Sequence, residues 1–197
     1  MMRKLAILLG GAMLLAGCQT TPPPPPPPPP VDMNNLLMAP GFLAHAASGD
    51  QFEIQSSQLA LAASQNVAVR NFANLLIADH TRMGAAMAAA AQSAGTTPPP
   101  PAMLPEQQAA LEQLRAAGTG PNFDMAFRQA QIAGHQGALG LMQNYAASGD
   151  VPALRTAAQQ AIPTIQMHLQ QAQILNVAPP PPPPPPMPAA GERGERG

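Results

Sequence analysis

The chain carries a single cysteine, a single tyrosine, five phenylalanines and no tryptophan in 197 residues, and only 10% of it is charged. Each scarcity removes a class of answer. One cysteine, Cys18, cannot form an intrachain disulfide. Lys and Arg total 9 against 10 for Asp and Glu, so a formal net charge of -1 supplies no basic face for nucleic acid or anionic lipid. Aromatics make up 3%, Ala, Leu, Gln and Met dominate between the proline tracts, and no alternating run reaches strand length, which favours helix throughout. A Gly-rich phosphate loop, a nucleophile elbow and a Cys/His pair are also missing, so the expected protein is not an enzyme.

What is present starts with MMRKLAILLGGAMLLAGC, where Arg3 and Lys4 precede an apolar stretch over residues 5–15 that closes on small residues. This has the form of a secretory signal and is too short to span a bilayer. Leu15-Ala16-Gly17-Cys18 resembles the bacterial lipoprotein cleavage box, which implies a lipid on Cys18 and a membrane as its partner. Gln19, where inner-membrane retention would call for Asp, resembles an outer-membrane sorting signal, so the expected location is the cell envelope, on an outer-membrane lipoprotein facing the periplasm. Nine prolines, Pro22 to Pro30, follow; as polyproline II they would span ~28 Å. Eight more, Pro179 to Pro186, lead into a polar tail ending GERGERG, expected to be disordered. The chain divides into a signal over 1–17, a lipidated cysteine and Pro-rich spacer over 18–39, a folded domain over 40–177 and a Pro-rich tail over 178–197.

Between the tracts the pattern predicts four long helices, over about 40–64, 67–94 behind an Asn66 cap, 121–147, and 151–176 capped by Asp150 with Pro163 inside it. Helices of roughly 40 Å make a four-helix bundle. The connection from Gly95 to Gly120 is far longer than a hairpin requires, and with its prolines and a short helix over 106–117 it could run ~50 Å, the whole length of the bundle. That is a ferritin-like crossover. Residues 66–80 and 150–168 also echo each other, with Arg70 and Arg155 in register.

The inward seams carry the chemistry. At alternating spacings of four and three, the second helix presents Val69, Ala73, Leu76, His80, Met83 and Met87, and the third Gln131, His135, Ala138, Met142 and Tyr145. The fourth presents Leu154, Ala158, Ala161, Ile165, His168, Ala172 and Leu175, and the first puts Glu53 in its seam. Glu53, His80, His135 and His168 lie near the middle of their helices and can meet at one height. Two readings stay open. The four groups form a buried, hydrogen-bonded polar cluster in a bundle whose binding role the sequence does not name. Alternatively they hold one Zn, Cu or Fe ion for sensing, buffering or stress protection. Asp79 flanks the seam and could orient a histidine from behind or pair with Arg82; His45 sits at the edge of its apolar face and is set aside.

The stretches FLAHAASGDQFEIQSSQLA, VRNFANLLIADHT, FDMAFRQAQIAGHQ and ALRTAAQQAIPTIQMHL together resemble the bacterial family known as domain of unknown function 4142. The resemblance covers about residues 42–175 and implies a ferritin-like helical fold on the periplasmic side of the envelope, with no activity to transfer. A di-iron centre would require Glu three residues before two of the histidines; Ile77 and Ile165 stand there, so di-iron oxidase chemistry lacks its ligands and at most a mononuclear site is left. A redox enzyme is the third reading, ranked below the other two because the open coordination position and extra ligands it would want are not visible.

Overall fold

The computed structural model describes residues 32–98, 100 and 102–177; the signal segment, Cys18, the proline tract before residue 31 and the tail from residue 178 lie outside the described residues. Among the described residues there are five helices: α1 (Ala39–Ala63), α2 (Val67–Ser93), α3 (Pro105–Ala116), α4 (Pro121–Ser148) and α5 (Pro152–Ile174). None of them is long and apolar enough to cross a membrane. The expected all-helical class holds, and so do the helix positions to within a residue or two.

The start and stop chemistry is simple. Proline occupies the first turn of α1, α3, α4 and α5, where its missing N–H costs nothing. Asn66 caps α2, its side chain accepting from the Ala68 N–H at 2.9 Å. Asp150 does not cap α5, contrary to the sequence expectation. Val151 holds the cap position without a side-chain bond, and the Asp150 carboxylate accepts from the Tyr145 hydroxyl at 2.7 Å. Helix α5 continues through Pro163. The Arg70/Arg155 echo has a structural meaning: Arg70 donates to the Leu61 and Ser64 carbonyls at the end of α1, and Arg155 donates to the Gly149 carbonyl at the end of α4. Each guanidinium closes the C-terminus of the preceding helix, where unpaired carbonyls carry partial negative charge.

The four long helices pack in a ring, α1 on α2, α2 on α5, α5 on α4, and α4 on α1. The Gly120 N–H donates to the Ala63 carbonyl, so α4 begins where α1 ends, and α2 begins there too. Helices α2 and α4 therefore run the same way, and the segment between them returns along the full length of the ring. On this return α3 packs on α1 and α4, where Ser48 receives the Leu104 N–H at 2.7 Å and donates to Gln107 at 2.9 Å.

The core is two apolar clusters with a polar layer between them. One holds Phe52, Phe72, Leu76, Leu111, Leu114, Phe123 and Phe127. The other holds Phe42, Met87, Met142, Tyr145, Leu154 and Ile165, with the Phe42 and Tyr145 rings stacked at 3.7 Å. In sequence order along α2, α4 and α5, the step from one cluster to the other passes through His80, His135 and His168.

Candidate metal centre

Burying a layer of imidazoles and carboxylates is costly unless the polar atoms are matched. Here each ring is matched on one nitrogen only. His80 Nδ1 lies 2.8 Å from Asp50 Oδ1, His135 Nδ1 lies 2.8 Å from the Gln131 carbonyl, and His168 Nε2 lies 2.8 Å from Asp79 Oδ2. The other nitrogens, Nε2 of His80, Nε2 of His135 and Nδ1 of His168, are buried without a hydrogen-bond partner. The rings sit 5.2 to 5.5 Å apart, centroid to centroid. Each ring offers one ligand nitrogen, and these three atoms lie within 4.8 Å of one another. Three ligands on a tetrahedral ion at about 2.0–2.1 Å would be roughly 3.3 Å apart, so small side-chain rotations would close the set.

The sequence-predicted residues fall into two groups. His80, His135 and His168 converge. Glu53 is buried, 4% exposed, and does not turn to solvent. It flanks His135 on the side of the nitrogen already bound to Gln131, its Oε1 3.6 Å from Nδ1, and is not among the three converging ligand groups. Asp79 takes both roles open to it, accepting from His168 through Oδ2 while Oδ1 pairs with the guanidinium of Arg82 one turn on. His45 borders a cavity near the site and is not part of the cluster.

Sequence reasoning missed Asp50, Gly84 and Gly134. Asp50 precedes Glu53 by three residues, one helical turn, which was the available signal. The two glycines make room for the carboxylates: a Cβ at Gly84 would stand 3.0 Å from Asp50 Oδ2, and one at Gly134 would stand 2.9 Å from Glu53 Oε1. A mid-helix glycine costs about 1 kcal/mol relative to alanine. Here that cost leaves space for charge beside the imidazoles.

The protonation pattern follows from burial and these partners. Burial pushes the His135 imidazole down to about 3, helped by the charge of His80. Burial also lowers His168, with Asp79 offsetting only part of it. For His80 burial acts the same way, but the Asp50 hydrogen bond and the charges of Glu53, Asp50 and Asp79 outweigh it and lift the ring above an ordinary histidine. Burial raises Glu53 to about 7 against the favourable charge of His80. Two imidazoles are therefore held neutral, as metal ligation requires, and two of the three are fixed from behind by carboxylates. The donor set, three imidazole nitrogens with unpartnered buried atoms, fits one Zn, Cu or Fe ion.

Fold and site together define a helical protein with a buried three-histidine centre. The chain matches the family described as Domain of unknown function (DUF4142) over residues 24–175 and belongs to that family. A solved structure of CopM in the Cu(II)-bound form is similar, with a TM-score of 0.58 at 21% identity, covering 69% of this chain and 93% of that one. That likeness shows a common fold. Among curated proteins no match is found.

Proposed function

We propose that this protein binds one transition-metal ion through His80, His135 and His168, without catalysing a reaction, on a ferritin-like four-helix bundle tethered to the outer membrane by a lipid on Cys18 and facing the periplasm. The observation that carries the metal reading is the meeting of three buried imidazoles, one from each of α2, α4 and α5, each with one nitrogen free of any hydrogen-bond partner and each with a ligand nitrogen within 4.8 Å of those of the other two. Bound there, the ion would supply charge to an otherwise costly polar layer, and the protein would serve to buffer or sense metal in the envelope. The structural relative was solved with Cu(II), which makes Cu(II) the first ion to try, alongside Zn(II).

The test is metal content after purification without chelators, and after incubation with Cu(II) or Zn(II), for the parent and a His80→Ala/His168→Ala double variant. About one equivalent in the parent and none in the variant is expected. No metal in either, with the variant merely less heat-stable, would assign the histidines to the core's own hydrogen bonding. The anchor is tested separately: Cys18→Ser should abolish incorporation of labelled fatty acid and release the protein from the membrane fraction.

A further inference from the structure

A cavity of about 850 Å³ is lined by all five helices and reaches the polar layer from one side. It touches His80 and His135 but not His168, so His168 stands behind the other two as approached from the cavity. Its wall along α4 is largely Ala and Gly, including Gly137 and Gly140, α1 adds Ala46 and Gly49, and a Cβ added at Gly49, Gly137 or Gly140 would meet nothing within 4 Å. Among the described residues its acidic side chains are Asp50, Glu53 and Glu106, and no Lys or Arg lines it. Carboxylates gathered in a low-dielectric cleft draw cations toward it, against the His80 imidazole, which Asp50 and Glu53 help hold above an ordinary histidine.

Glu53 is the acidic side chain that the fold buries most deeply in this lining. It is 4% exposed, its Oε2 has no hydrogen-bond partner, and the missing Cβ of Gly134 leaves Oε1 its place beside His135. Asp50, by contrast, is already occupied by His80. We propose that this cleft is the route by which a divalent cation reaches the three imidazoles, and that Glu53 is the carboxylate that receives the ion on the way. The inference rests on the three-histidine reading and adds a path and a capturing residue to it. The Glu53 carboxylate, through the Oε2 that has no hydrogen-bond partner, binds the incoming ion in place of part of its hydration and passes it to the neighbouring His135 and His80, whose Nε2 atoms are the ones left free.

The experiment is stopped-flow binding of Co(II), read by its visible absorption, to the full chain at several salt concentrations. Glu53→Gln should slow association at least about tenfold and flatten its salt dependence, with the stoichiometry kept and Glu53→Asp recovering part of the rate. Gly49→Leu, which narrows the cleft without touching a ligand, should slow association and dissociation together and leave the affinity near the parent's; it decides the matter if Glu53→Gln fails to fold. Parental association rates in the folded variants overturn the proposal. A parent that shows no Co(II) signal dependent on His80 and His168 overturns the three-histidine reading itself, and the two failures are distinguishable because only the second abolishes binding in the parent.

Discussion

At His168, the contact between Nε2 and Asp79 determines which nitrogen is left to face the cluster, because a ring whose Nε2–H donates to a carboxylate presents Nδ1 as the acceptor. Asp79→Asn weakens this constraint and is expected to lower metal affinity 10–100-fold without removing a ligand, measured by competition against a chelator. Glu53 gives a pH signature in the metal-free protein. Its folded-state value of about 7 lies above the ordinary 4.5, so its contribution is fully present below pH 4.5 and is lost as the pH rises through 7. Glu53→Gln should therefore stabilise the metal-free chain at pH 8, on the order of 1–3 kcal/mol, and change little at pH 4.5, as urea melts at the two pH values will show.

On the scale of the helices, the ends are set by local groups that can be removed one at a time. Asn66→Ala strips α2 of its cap and should cost about 1 kcal/mol. Gly149, just past α4, is a harder constraint: a Cβ there would stand 2.5 Å from the Tyr145 ring, which is itself stacked on Phe42 and bonded to Asp150. Gly149→Ala must displace that ring and should destabilise by roughly 1–3 kcal/mol in thermal unfolding, with metal stoichiometry unaffected. The helices themselves were readable because their apolar seams repeat at helical spacing and prolines and glycines punctuate them. The Asp150 cap was misassigned because a residue placed to cap one helix was claimed instead by the hydroxyl of another residue, and no pattern along one helix registers that.

In the whole molecule, the polar layer divides the core into two apolar halves, so an ion bound there would tie α2, α4 and α5 together at the point where apolar packing is interrupted. Binding to the folded state alone stabilises by about 2.7 kcal/mol at a hundredfold excess over Kd, so Cu(II) or Zn(II) should raise Tm by roughly 5–10 °C. The His80→Ala/His168→Ala variant should show no such shift, a difference that differential scanning fluorimetry resolves.

Period, punctuation and length along the chain were enough to place the helices, the long return between α2 and α4 and the inward direction of Glu53, His80, His135 and His168. They could not determine which of the four inward groups share a point, since that depends on how the helices are rotated and staggered against one another. Nor could they identify Asp50, Gly84 and Gly134 as parts of the site. Asp50 reads as a solvated charge until His80 of another helix is set against it, and the two glycines read as weak spots in a helix until a carboxylate from α1 fills the space their missing Cβ atoms leave. Those contacts join residues thirty or more positions apart, and only packing brings them together.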